Sequence, residues 1–365
     1  MKKQLVFHQA LAPYRIDFFN ALVGFFDTEL VLFDTNLLNQ KFNQSRLVSR
    51  LRCKVSYLLS GVTWRGRRYR IGAIRKVRET NPDIVLGCEY SLATISLALY
   101  RFIFNRKFKL YTLSDDNLEM FRARSGLKAF LRWLFVRLLD GIILTNEATK
   151  CAYQSITPKG ARIRYYVVPI LHEESEIRKE AGMAISVGMR WRQRCVPQFA
   201  KVVLFVGRLV VEKGVDWLLT QLGRSGCSTK IALVIVGNGP LEEKLKKDAS
   251  HLRMSNVFFV GRREGRGVYE MMSMADCLVL PSRYEPYGAV VGEALQLGIP
   301  CLVSDRVGAK DLITNCNGAI FEVGDAQDFL VKLDYVLSLR KLSGSFISNG
   351  LRESVQRWAS EAVWQ

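Results

Sequence analysis

Residues 284–298 read YEPYGAVVGEALQLG and hold two carboxylates eight positions apart, Glu285 and Glu293, with Pro286, Gly288 and Gly292 between them. A carboxylate accepts hydrogen bonds from paired hydroxyls, such as those of a sugar or a ribose. With 19 glutamates in 365 residues, one such pair arises by chance, so the surroundings must decide what it does. The segment follows an apolar, strand-like run. Pro286 places Glu285 in a loop and predicts a helix starting near Gly288. The amides of Gly288, Ala289 and Val290 would then form a helix N-terminus, where N–H groups and the helix dipole favour an anion such as a diphosphate. Glu285 would face what lies on one side of that anion, and Glu293 what lies on the other. The arrangement suits a molecule with a diphosphate in the middle and a sugar at each end, a nucleotide-diphosphate sugar.

Two further strand ends carry glycine and charge. In LFVGRLVVEKGVDWLL (204–219) a strand ends at Gly207, Arg208 and Lys213 follow, and a helix begins near Gly214. Arg offers a forked donor to phosphate oxygens and Lys a mobile point charge. The same residues also read as an ordinary strand–turn–helix with surface charges. In IVGNGPLEEKLKK (235–247) Gly237, Gly239 and Pro240 predict a tight turn with Pro240 in the first helical position. This is structural punctuation rather than a dinucleotide fingerprint.

These segments need elements to position them. In the N-terminal half KQLVFHQ (3–9), ELVLFDT (29–35), DIVLGC (83–88), KFKLYTLS (107–114), GIILTN (141–146) and IRYYVVP (163–169) read as strands separated by helical stretches. After residue 200 the rhythm restarts with KVVLFVG (201–207), IALVIVG (231–237), NVFFVG (256–261), CLVLPS (277–282), PCLVSD (300–305) and AIFEV (319–323). Short apolar runs alternating with helices predict parallel sheets covered on both faces. The expected fold class is α/β, with two Rossmann-like doubly wound domains facing each other across a cleft that holds the ligand. The domains are placed at 1–170 and 201–343, with a linker over 171–200. A last helix within 344–365 is expected to cross back to the first domain. The stretch 36–80 breaks the rhythm and reads as a basic insertion.

Composition narrows the class. A chain 49% hydrophobic and 24% charged is globular. It shows no repeat, signal peptide or apolar run long enough to span a membrane, so a cytoplasmic setting is expected. The eight cysteines form no CxxC pair and suit reduced thiols, and the three histidines are far apart. No metal and no cofactor are expected. The net charge of +19 is uneven: residues 1–180 carry 30 Lys and Arg against 16 Asp and Glu, and residues 181–365 carry 23 against 18. From Lys41 to Arg78 there are 12 basic residues and no acid. Such a field implies a polyanionic neighbour: nucleic acid, an anionic membrane or a phosphorylated substrate. No nucleic-acid-binding motif appears, and nucleic acid is not the expected partner.

The set GRLVVEKG, IVGNGPLEEKL, NVFFVG and PSRYEPYGAVVGEALQLGIPCLVSDRVGAKDLI resembles, in this order and spacing, the C-terminal domain of the retaining glycosyltransferases of family 4, which have the GT-B fold. The likeness covers about 200–345. In the N-terminal part it extends to the rhythm, QALAPYRIDFFNAL and GIILTNEATK. The resemblance implies that Arg208 and Lys213 bind the donor diphosphate, Glu285 contacts the transferred sugar and Glu293 the ribose. It implies that the amides at Gly288, Ala289 and Val290 hold diphosphate and sugar, that Gly207 closes the donor loop, and that Val260, Gly261 and Arg262 lie near the base. It further implies a UDP- or GDP-sugar donor, retention and metal independence, and Asp115-Asp116 is not a DxD motif. Many relatives carry a His-Asp pair where this chain has Ser114 and Asp115 in YTLSDDN. Asp115 is open to two readings, a base or sugar contact, or a cap for the next helix. The acceptor domain's charge fits a glycan or lipid-linked acceptor at an anionic inner leaflet, with LKAFLRWLFVRLL (127–139) as a membrane-facing helix. Rival readings are a phosphorylase or epimerase of the same fold, a family member that binds a nucleotide sugar without transferring it, and a nucleic-acid-binding protein.

Overall fold

A computed structural model of the chain describes residues 1–36, 42–64, 67–123, 126–158, 160–225, 230–347 and 350–364. Lys41 and Arg65 of the basic run lie outside the described residues. The chain divides into two compact units, Met1–Leu171 with Gly350–Gln365, and His172–Asn349.

The first unit runs β1 (Lys3–His8), α1 (Ile16–Val23), β2 (Asp27–Leu32), α2 (Gln44–Val48), β3 (Lys54–Tyr57), β4 (Gly61–Trp64), β5 (Arg67–Arg70), α3 (Ala73–Thr80), β6 (Ile84–Cys88), α4 (Leu92–Ile103), β7 (Lys109–Leu113), α5 (Leu118–Arg122), α6 (Gly126–Val136), β8 (Gly141–Leu144), α7 (Glu147–Ser155) and β9 (Arg164–Val167). Seven strands form one parallel sheet in the order β3-β2-β1-β6-β7-β8-β9. Their apolar runs are continuous because helices cover both faces. Ala73 and Val77 of α3, Leu97 of α4, Phe135 of α6 and Tyr153 of α7 share one buried cluster with Phe7, Val85 and Leu110 of the sheet. Ser91, Asn117 and Asn146 each precede a helix and accept a hydrogen bond from a first-turn amide, which sets where α4, α5 and α7 begin.

The second unit runs α8 (Glu174–Cys195), β10 (Lys201–Val206), α9 (Val215–Arg224), β11 (Ile231–Val236), α10 (Glu242–His251), β12 (Val257–Gly261), α11 (Arg266–Met274), β13 (Cys277–Leu280), α12 (Ala289–Gln296), β14 (Cys301–Ser304), β15 (Gly318–Phe321) and α13 (Ala326–Ser338). Its six strands are parallel in the order β12-β11-β10-β13-β14-β15. Both sheets are doubly wound, and each changes direction at its first strand, between β1 and β6 and between β10 and β13. A ligand crevice forms at the carboxyl ends of strands flanking such a point.

Three features differ from the sequence expectation: the stretch 171–200, the basic insertion and the start of α10. The stretch 171–200 folds as the 22-residue helix α8, which belongs to the second unit. Its buried residues are spaced along a largely polar helix, so it reads as mixed and charged. The final helix α14 (Gly350–Trp364) belongs to the first unit, where it packs on α1 and buries Trp358 against Phe26 and Tyr111. Part of the basic insertion forms the edge strand β3 and the β4–β5 hairpin. Pro240 precedes α10 by two positions instead of opening it, because Leu241 takes the N-cap.

Candidate functional site

At the switch point of the second unit the loops after β10 and β13 are tied together. The backbone N–H groups of Arg283 and Tyr284 donate to the Glu212 carbonyl, at 2.8 and 3.2 Å. The Arg283 guanidinium forks onto both Asp216 oxygens at 2.8 Å and also donates to the Val211 carbonyl. Burial pushes the Asp216 carboxyl up, but the hydrogen bonds and charge of Arg283 outweigh it and hold Asp216 below its usual range. Gly214 has φ 67° and lies so close to the Pro281 carbonyl that a Cβ would sit 2.2 Å from that oxygen. Only glycine fits there. Gly237 and Gly239 play the same part on the other side, where added Cβ atoms would meet the Gly207 and Leu209 carbonyls.

This stapling brings Lys213 onto Glu285, where ammonium and carboxylate form an ion pair between two largely buried side chains. The Glu285 backbone bridges to Val307, and its carbonyl accepts from the Gly308 amide at 3.1 Å. Gly288, at φ 89°, is the N-cap of α12, and no side chain caps that helix. The first amides of a helix have no intrahelical acceptor, so Ala289 and Val290 present donors beside Glu285. Arg208 is exposed and has no hydrogen-bond or ion-pair partner among the described residues. Gly207 continues the ladder, its N–H donating to the Val236 carbonyl. Val260 and Gly261 end the neighbouring β12, and Gly261 receives a hydrogen bond from the Gly237 amide. Arg262 turns onto Glu264 of its own loop.

Glu293 stands further along α12. Its Oε1 lies 3.2 Å from Nε2 of His172. The backbone N–H of His172 donates to Gln296 Oε1 at 3.0 Å, and Gln296 Nε2 donates back to the His172 carbonyl at 2.8 Å. His172 therefore docks on α12 through both backbone and ring. The sequence reading missed it, because 121 residues separate it from Glu293.

The first unit collects charge at its own switch point. Arg15, almost fully buried, forms an ion pair with the part-exposed Asp115. The cap of α5 is Asn117, not Asp115, so the capping reading of Asp115 falls away. Asp116 accepts from Arg132 at 2.5 Å and from the Tyr153 hydroxyl at 2.6 Å. Arg132 sits over the rings of Tyr90, Phe121 and Tyr153. The arginine at the centre of 127–139 thus faces inward. Glu89, which the sequence reading also missed, follows β6 at φ 47°. Its N–H donates to the Leu113 carbonyl, and the Glu89 carbonyl accepts from the Thr112 hydroxyl at 2.7 Å. Its carboxylate has no side-chain partner among the described residues. Although open to solvent on one side, it is walled by protein. That burial, with the charges of Asp115 and Asp116, pushes it up to about 7. The signal in the sequence is slight: an acid directly after an apolar strand.

Among the described residues no three His, Cys, Asp or Glu side chains gather as a metal site, and no helix is long and apolar enough to cross a membrane. The seven described cysteines are free thiols.

Residues 192–353 match the family model of glycosyl transferases group 1. That stretch contains Gly207, Arg208, Lys213, Arg262, Glu285, Gly288, Ala289, Val290 and Glu293, but neither Asp115 nor His172. The chain is 37% identical over 135 residues to a GDP-mannose-dependent alpha-mannosyltransferase of Mycobacterium tuberculosis, covering 37% of this chain and 33% of that protein. It is 23% identical over 232 residues to the O-antigen chain mannosyltransferase C of Escherichia coli, covering 62% and 59%. The chain thus spans between a third and three-fifths of the length of these curated relatives. Among solved structures, Anabaena HepE in complex with UDP superposes with a TM-score of 0.71 at 17% identity, covering 99% of this chain and 97% of that one. The two Rossmann-like units are those of the GT-B fold.

Proposed function

We propose that the chain is a retaining glycosyltransferase that moves a sugar from a UDP- or GDP-sugar to a glycan or lipid-linked acceptor in cell-surface polysaccharide assembly. The observation that carries the reading is the second unit's switch point. There the N-terminus of α12, which no side chain caps, the Lys213–Glu285 pair and, in the loop after β10, the exposed Arg208 offer the donors that a diphosphate needs. Arg208 and the amides of Ala289 and Val290 bind the phosphates. Lys213, already beside Glu285, meets the charge that develops as the sugar C1–O bond breaks. Glu285 accepts from the sugar hydroxyls. Glu293, with one oxygen on His172, offers the other to the ribose. The acceptor oxygen forms the new bond to C1, and its proton passes to the departing phosphate oxygen. No step needs a metal or cofactor. Asp115, held by Arg15, is the first unit's own candidate for a base or sugar contact.

The named activities of the matched relatives support a nucleotide-sugar donor. The basic first unit supports an acceptor at the inner face of an anionic membrane. A thermal-shift screen with UDP-, GDP- and ADP-sugars tests the donor assignment, and one of these is expected to raise the melting temperature. Proton NMR of the first product tests the stereochemistry. A product with the donor's anomeric configuration supports retention, and the opposite anomer refutes it.

A further inference from the structure

The outer side of the helical layer over α4 and α6 is unusually apolar. Leu92 and Leu99 of α4, and Phe130, Leu131 and Leu134 of α6, are each about half exposed. At the end of α4 the exposure rises to 73% for Phe102, 68% for Ile103 and 64% for Phe104. Soluble surfaces scatter such residues singly, and a contiguous group marks an interaction site. Phe102, Ile103 and Phe104 are consecutive, and Phe104 lines a cavity of about 540 Å³ at the amino edge of the sheet, whose lining also includes Lys2, Asn81, Arg106, Lys107 and Lys109. Asp83 is the one acid among its lining residues, and its carboxylate already accepts from the Lys3 amide at 2.7 Å. Burial and the neighbouring charge of Lys2 lower the Lys109 ammonium from its usual value, and its Nζ donates to the Ala362 carbonyl at 3.3 Å. Arg106 lies over the Tyr100 ring, which in turn packs on Phe104, so the cationic and apolar parts form one structure.

We propose that this ridge and cavity seat the first unit on an anionic phospholipid bilayer. Phe102, Ile103 and Phe104 enter the acyl boundary, while Arg106, Lys107 and Lys109 take a lipid phosphate. The charge of the cavity selects the occupant. A neutral protein groove would offer no anion to Arg106 and Lys107, whereas an anionic leaflet supplies both apolar and phosphate chemistry to the ridge and cavity. The docking edge thereby centres on the end of α4, where Phe102, Ile103 and Phe104 are more exposed than Phe130, Leu131 and Leu134 of the 127–139 helix. The inference rests on the membrane part of the proposed function and not on the donor assignment.

The test is co-sedimentation of the full chain with vesicles of phosphatidylcholine alone or with about a third phosphatidylglycerol, at low and high salt. Wild type is expected to pellet with the anionic vesicles at low salt. Two double variants, Phe102→Ser/Phe104→Ser and Arg106→Glu/Lys107→Glu, should each lower the partition coefficient at least tenfold. Both change exposed side chains, and an unaltered melting temperature would show that they fold. If wild type binds and both variants bind equally well, the proposed edge is wrong although the membrane reading stands. If wild type stays in the supernatant, the membrane reading itself fails. If gel filtration shows a wild-type dimer that the Phe102/Phe104 variant converts to a monomer, the ridge is a self-interface and the proposal is overturned.

Discussion

Lys213 and Glu285 form an ion pair that is largely shielded from water, so neither can be altered without stranding the other. Removing one partner of such a pair costs more than the pair itself contributes. Lys213→Ala is expected to lower kcat by about 10²–10³-fold, the scale for losing one group that stabilises developing charge. Glu285→Gln keeps the shape but donates from one end, and a kcat fall of similar size should follow. Steady-state kinetics with the preferred donor would contradict both assignments if kcat stayed within threefold of wild type. In the first unit, Glu89 supplies a pH signature. Its folded-state value lies at about 7, above its ordinary 4.5. Between those values the folded chain holds a proton that the unfolded chain has released, so this group makes stability fall as pH rises from about 4.5 to 7. Glu89→Gln removes that slope. Its melting temperature relative to wild type should therefore climb across this window and level off above it. A difference constant from pH 5 to 8 would show that Glu89 has an ordinary environment. Glu285 and Glu293 were legible as a pair because loop and helix lie within one short segment. His172 was not, because a partner 121 residues away leaves no local pattern, and Glu89 was not, because its environment is set by burial and by Asp115 and Asp116 after a different strand.

At the scale of elements, the site depends on two loops held at a fixed separation by Gly214 and by the Arg283–Asp216 fork. Gly214→Ala forces a Cβ into the Pro281 carbonyl at positive φ. It should destabilise the second unit by about 1–3 kcal/mol and weaken donor binding by moving Lys213. Chemical denaturation combined with donor titration checks this. Unchanged stability and affinity would mean that the loops are not coupled. The strand–helix alternation was readable because continuous Val, Ile and Leu runs occur where parallel strands are buried on both faces. The β3 edge and the β4–β5 hairpin were not, since KVSY, GVTW and RRYR hold no continuous apolar run. Helix α8 was read as a linker because its buried positions, Ile177, Ala184 and Gly188, are too sparse and small to show an apolar stripe.

At the scale of the whole molecule, α14 closes the first unit from the far end of the sequence. Trp358 is fully buried against Phe26 and Tyr111. Trp358→Ala should cost about 3–5 kcal/mol. By calorimetry or denaturant melts the loss should fall on the transition of the first unit, leaving donor affinity in the second unit unchanged. Equal loss in both would contradict the division of the chain. The two-unit architecture was legible from the restarted rhythm at residue 201. The packing of Trp358 of the last helix on Phe26 and Tyr111 was not legible, because those partners lie over two hundred residues away. The central claim is that the β10–β13 switch point of the second unit grips a nucleotide-diphosphate sugar. Isothermal titration of the best donor from the screen, against wild type, Lys213→Ala and Glu293→Ala, tests it most directly. The account predicts saturable one-to-one binding that weakens at least tenfold in each variant, about 1.4 kcal/mol or more. Binding of equal strength in all three proteins would place the donor elsewhere and contradict the account.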